Sequence, residues 1–170
     1  YLQINKIKKI ARLYSLALNN FLNYKEKRKI MATLNIIYYT GTGNTEDMAK
    51  YIGEGAENAG AAVKLINVEE ADESAVNADF VAFGSPAGGA EEVAPEMVEF
   101  IEGIKDKIFG KTVGLFGSYD WGQGGWMETW REEMINEGFS IVNDGLIIHL
   151  AVDDDEKIEK CREYGRAIVG

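Results

Sequence analysis

From residue 32 onward the chain alternates short apolar runs with stretches of helical spacing, and this alternation limits what it can fold into more than any single residue does. Leu34-Asn35-Ile36-Ile37-Tyr38-Tyr39 reads as a buried strand, Val63 to Val68 as a second and Phe80-Val81-Ala82-Phe83 as a third. Thr112-Val113-Gly114-Leu115-Phe116-Gly117 reads as a fourth, and Ser140 to Leu150 as a broken fifth. Between them, Met48, Ile52, Ala56 and Ala59 line a helix face that Gly60 ends, and acidic Glu69 to Glu73 starts a short connection or helix. Val98, Ile101, Ile104 and Ile108 form the next stripe. Met127, Trp130, Met134 and Ile135 mark a helix closed by Gly138, and a final helix buries Ile158, Cys161 and Ile168. Such alternation implies parallel pairing, right-handed crossovers and an open sheet covered on both faces. The expected architecture is therefore α/β: a three-layer, doubly wound, five-stranded parallel sheet.

In sheets of this kind a ligand binds outside the carboxyl ends of the strands. Three unusual loops, after strands one, three and four, all lie at that edge and can line one site. The first, Thr40-Gly41-Thr42-Gly43-Asn44-Thr45, joins a strand to a helix. Its glycines let the backbone come close, its hydroxyls donate, and the helix N-terminus offers unpaired N–H groups with a partial positive charge. It is not a Walker loop, because Asn44 and not lysine follows Gly43, and Glu46 stands where the dinucleotide fingerprint needs a third glycine. What remains is a loop of hydroxyls and amides without a cation, suited to a monophosphate. Taken alone, the hexapeptide is equally compatible with a turn that only joins strand to helix.

The chain has 170 residues, enough for one domain and an additional segment, and at 46% hydrophobic it can bury a full core. Its one cysteine, Cys161, excludes an internal disulfide and a cysteine-rich metal site and fits a reducing compartment. No apolar run approaches the roughly 20 residues that span a bilayer. The net charge of −10 is unevenly divided. Residues 1–30 hold eight Lys or Arg against Glu26 alone, which leaves ten bases and 27 acids, net −17, from residue 31 on. That surface repels nucleic acid and anionic membrane and attracts a basic protein partner.

The basic stretch, with Ile4, Ile7, Ile10, Leu13, Tyr14, Ala17, Leu18 and Phe21 at helical spacing, has three readings. It is a membrane-surface or targeting helix, a helix docked on the domain, or a segment foreign to the natural protein. The third is preferred. Met31 directly precedes the first strand, Lys25-Glu26 can be encoded AAG GAG, a purine-rich ribosome-binding sequence, and Lys, Asn, Ile and Tyr are what A/T-rich non-coding DNA yields. The expected organisation is thus an extension over residues 1–30 and one domain over residues 31–170.

Three stretches together resemble the short-chain flavodoxins over nearly all of residues 32–170. They are the hexapeptide, Gly84-Ser85-Pro86-Ala87 with Glu91 beyond, and Leu115-Phe116-Gly117-Ser118-Tyr119-Asp120-Trp121-Gly122. The resemblance implies an FMN-binding domain with strand order 2-1-3-4-5, an order taken from that family. It implies that Thr40, Gly41, Thr42, Gly43, Asn44, Thr45 and Ser85 bind the FMN phosphate, with Pro86 and Ala87 beside them. Trp121 would stack on the outer face of the isoalloxazine. Backbone amides around Asp120 to Gly122, next to Ser118 and Tyr119, would hold the pyrimidine oxygens. Glu91 would accept from flavin N3–H, and the peptide joining Gly88 and Gly89 would turn over to accept from N5–H in the one-electron-reduced state. Short-chain relatives usually carry Met where Gly88 stands, so the inner flavin face is open or covered by another side chain.

An aromatic on the flavin and a carboxylate nearby, in a water-poor site, oppose the anionic reduced form, so the second reduction is expected at low potential. The expected function is one-electron transfer between larger redox enzymes that dock by a basic surface near the flavin edge. The carrier is expected to be a cytoplasmic monomer with no bound metal and no catalytic residue of its own. The alternative is an FMN-dependent reductase of quinones or similar acceptors. A receiver module phosphorylated on aspartate fails, because strand one ends in Thr40 and strand three in Gly84 and Ser85. Of the remaining residues, His149 reads as packed or at a strand end and Cys161 as inert core. Trp126 and Trp130 read as helix packing or rim, whereas Tyr119 is either structural or a flavin cover. Asp153-Asp154-Asp155 reads as a solvated helix cap and not as a metal cluster.

Overall fold

A computed structural model describes Ile10, residues 12–18 and residues 31–170. The chain divides into two units, Tyr1–Met31 and Ala32–Gly170. In the first, residues 12–18 are helical. The reading of residues 1–30 as an extension foreign to the protein falls mostly on residues outside the described ones.

The second unit contains β1 (Thr33–Tyr38), α1 (Asn44–Asn58), β2 (Ala62–Asn67), β3 (Phe80–Gly84), α2 (Pro95–Ile108), β4 (Thr112–Tyr119), α3 (Gly125–Asn136), β5 (Ser140–Ile141), β6 (Leu146–His149) and α4 (Asp155–Val169). The acidic connection forms two short 3-10 turns, Val68–Glu70 and Glu73–Val76, capped by the side chains of Asn67 and Asp72. All pairings are parallel and the order is β2-β1-β3-β4-β5, the order 2-1-3-4-5. The fifth position is shared by β5, beside Thr112 and Val113, and β6, beside Phe116 to Tyr119.

Alternation along each strand feeds two cores. Ile37, Val81, Phe83 and Leu115 point to the layer of α2 and α3, whereas Leu34, Ile36, Ala82 and Phe116 point to α1 and α4. Backbones of α1 and α4 touch: a methyl group at Gly55 would collide with the Arg162 carbonyl, and one at Gly165 with the Ile52 carbonyl oxygen. Only hydrogen side chains permit that approach.

Four details differ from the sequence expectation. In α2 the buried stripe is Met97, Ile101, Ile104 and Ile108, and Val98, one residue out of phase, is exposed. In α3, Trp126 joins Met127, Trp130 and Met134 inside while Ile135 faces out. Ile158 of α4 is only half-buried, and Tyr164 takes a core place that sequence did not assign. Ser118 and Tyr119 belong to β4 and not to the loop after it, because β6 continues the ladder to Tyr119↔His149. The break between β5 and β6 is bridged by Tyr164. Its hydroxyl accepts from Leu115 N–H at 2.9 Å and donates to the Val142 carbonyl at 3.1 Å.

Candidate functional site

The three loops converge at the carboxyl edge of the sheet. They enclose a cleft of about 270 Å³, near the small end of the roughly 300–1,000 Å³ usual for ligand sites. The first loop contributes Gly41, Thr42 and Asn44, the loop after β3 contributes Pro86 and Ala87, and the end of β4 contributes Ser118, Tyr119 and Asp120. Leu150, following β6, completes the wall. Among the described residues, no lysine or arginine lines it.

The first loop is shaped by its own hydroxyl. Thr40 Oγ1 accepts from Gly43 N–H at 3.0 Å, and Gly43 takes φ 96° as the residue before α1. No side chain among the described residues caps this helix, so its first-turn N–H groups are open to an anion. Glu46 and Asp47 in that turn are 3.6 and 3.1 Å from Lys50 Nζ, exposed pairs of little energetic weight. Thr45 and Ser85 do not reach the cleft wall; both are fully buried. Thr45 Oγ1 lies 3.3 Å from Ser118 Oγ, which ties the first loop to β4. Ser85 Oγ accepts from Ala94 N–H at 2.9 Å and donates to the Pro86 carbonyl, so it holds its own loop. Ser85 N–H and Ala87 N–H in turn donate to the Phe116 and Ser118 carbonyls at 3.0 and 2.8 Å.

Beyond the cleft wall stand Gly88, Gly89, Glu91, Trp121 and Gly122. Gly88 N–H donates to the Glu92 carbonyl at 2.8 Å, and the Gly88 carbonyl accepts from Glu91 N–H at 3.0 Å. Glu91 takes a left-handed φ of 55°, a conformation uncommon outside glycine. Its carboxylate packs against Gly122, and its Oε1 is buried with no hydrogen-bond partner among the described residues. An unpaired buried carboxylate oxygen is unfavourable, and a donor such as a ring imide N–H would relieve it. Trp121 is 56% exposed, leaving a broad aromatic face at the rim.

A sequence model of the family described as Flavodoxin matches residues 36–165. The chain belongs to the flavodoxin family. The flavodoxin of Clostridium beijerinckii is 40% identical over 137 residues, 79% of this chain and 98% of that protein. The solution structure of two-electron reduced Megasphaera elsdenii flavodoxin superposes with a TM-score of 0.70 at 37% identity, covering 79% of this chain and 97% of that one. The coenzyme F420H2 oxidase of Methanothermobacter thermautotrophicus is 29% identical over 150 residues, 84% of this chain but 36% of the oxidase. As a flavodoxin, the chain is an FMN-binding electron carrier. The residues present suit that cofactor: in the cleft, hydroxyls, amides and an uncapped helix end for a phosphate, and beyond its wall the orphaned Glu91 oxygen for a ring N–H.

Of the residues expected at the site, Gly41, Thr42, Asn44, Pro86, Ala87, Ser118, Tyr119 and Asp120 line the cleft; Leu150 joins them unforeseen, and His149 stands at a strand end, as one of its two readings had it. Both follow from topology: β6 lies beside β4, so its end reaches the same rim. Leu150 sits at φ 59° and its N–H donates to the Tyr119 carbonyl at 2.8 Å. His149, the last residue of β6, places Nε2 2.8 Å from the Asp120 carbonyl oxygen. Trp126 and Trp130 are core, stacked with centroids 6.1 Å apart. Asp154 caps α4, accepting from Lys157 N–H at 2.8 Å, and Asp153 pairs with Lys157 Nζ at 2.7 Å. Burial pushes the Cys161 thiol up to about 12, so it stays protonated and unreactive at neutral pH. No described helix is long and apolar enough to cross a membrane.

Proposed function

We propose that this flavodoxin is a low-potential, one-electron carrier that uses non-covalently bound FMN and shuttles electrons between redox enzymes in the cytoplasm as a monomer. FMN supplies a ring that takes up electrons singly or in pairs. The chain's part is to hold it and to set the balance between its charge states. Thr42, Asn44 and the open N–H groups at the start of α1 would bind the phosphate. Thr40, Thr45 and Ser85 would hold those groups in place from behind. The Glu91 carboxylate would accept the ring imide proton, and Trp121 would cover one ring face. Glu91, Asp120 and the acidic surface would disfavour added negative charge on the ring, which keeps the last electron at low potential. Partners would be larger enzymes presenting a basic surface at the exposed Trp121 rim, in small, salt-sensitive contacts.

The observation that carries this reading is the orphaned Glu91 oxygen beside the loop that bears Trp121. The test is an anaerobic reductive titration of the yellow protein followed by visible spectra. A two-stage course with a long-wavelength absorbing stage between the stages supports the carrier. A direct bleach in one stage sinks it.

A second reading, an FMN-dependent reductase of quinones, draws on the open space beside exposed Gly89 and on the oxidase whose sequence the chain partly matches. Steady-state turnover of a quinone with a nicotinamide donor by the pure protein would favour it.

A further inference from the structure

Two consecutive carbonyls at the start of the Trp121 loop are anchored on the end of β6. Leu150 N–H takes the Tyr119 carbonyl, and His149 Nε2 takes that of Asp120, each at 2.8 Å. The His149 ring also lies tilted against Tyr119, with centroids 5.1 Å apart. A carbonyl oxygen only accepts, so Nε2 must carry the proton, in either the neutral or the cationic ring. In a trans peptide the C=O and the following N–H point to opposite sides. Holding the Asp120 oxygen on the β6 side therefore turns the Trp121 N–H away from it. There that N–H has no acceptor among the described residues.

We infer that His149 is a positioning residue for the ring end of the cleft: its Nε2–H fixes the Asp120–Trp121 peptide so that the Trp121 N–H is available to an acceptor on the bound ligand. That the ligand is FMN rests on the proposed function. The fixed orientation does not, since it follows from the peptide geometry. His149 is exposed and outside both cores, so replacing it leaves the fold standing.

The experiment compares the parent with His149→Leu and His149→Gln, whose amide restores a donor at similar reach. Titration of the apoproteins with FMN is expected to show binding weakened about fivefold in the leucine variant, the effect of one net hydrogen bond, and nearly parental binding in the glutamine variant. The 15N spectrum of the parent apoprotein is expected to show a protonated Nε2. The Trp121 amide resonance is expected to move in His149→Leu and to return in His149→Gln. A bare Nε2, a leucine variant that binds as tightly as the parent, or a glutamine variant no better than leucine overturns the inference. A parent that takes up no FMN would instead sink the proposed function, and the Nε2 and Trp121 resonances would still decide this one.

Discussion

Gly88 stands where the resemblance to short-chain flavodoxins leads one to expect methionine, and its surroundings bear on what that side chain would do. A methyl group there would stand 3.2 Å from the Glu92 carbonyl oxygen, which must give by a few tenths of an ångström to accept a side chain. Chain neighbours aside, no group but Glu92 stands within 4 Å of it among the described residues, so a longer apolar side chain has space beyond that contact. Its hydrophobic bulk over the ring would exclude water from a site that must hold a charge, which disfavours the reduced anion. Gly88→Met is expected to lower the potential of the last reduction by about 60 mV, a tenfold change in relative stability for one electron. Redox titration against reference dyes measures it, and identical potentials in variant and parent would refute it. Glu91 shows the limit of reading residues singly. The sequence marks it as a candidate carboxylate, but its left-handed backbone and its contact with Gly122 arise from a turn closed by Gly88 and Glu92.

Among the elements, the divided fifth strand places the greatest demand on its neighbours. Where β5 stops and β6 has not begun, Leu115 N–H and the Val142 carbonyl would lack partners, and Tyr164 from α4 serves both. Burial raises its hydroxyl pKa, so the group remains a donor over the whole working range. Tyr164→Phe keeps the ring and removes the bridge. It is expected to lower stability by about 1–3 kcal/mol, the penalty for buried groups left unsatisfied. Urea unfolding of the two apoproteins checks this, and an unchanged midpoint would sink it. The break was visible in sequence as an interruption between Ser140 and Leu150, because apolar spacing lapses there. The bridge was not, since a tyrosine on a helix carries no sign of which strand gap it faces. The same limit explains Ser118 and Tyr119: apolar character ends at Gly117, but the ladder continues because β6 supplies partners from 30 residues along the chain. Local pattern gave strands, helices and the three loops; what depends on which strand lies beside which came only with the pairing.

For the molecule as a whole, charge is the property that acts at a distance. Residues 31–170 carry a net −17, and none of the described residues that line the cleft is a lysine or arginine. Electron delivery to a small basic haem protein is therefore expected to slow severalfold between about 0.01 and 0.15 M ionic strength, as screening shortens the reach of that field. Stopped-flow rates across that range test it, and a flat dependence would count against docking by charge. The close backbone contact at Gly55 and Gly165 bears on what happens after docking. It seats the Ile52 to Ala56 stretch of α1 directly on the backbone of α4, and α1 begins at the loop proposed to receive the phosphate. On the proposed function, a cradle joined to a helix seated this way would have little room to rearrange when an electron arrives or leaves. A small nuclear displacement means a small reorganisation energy, and the transfer step would then proceed quickly even under a modest driving force.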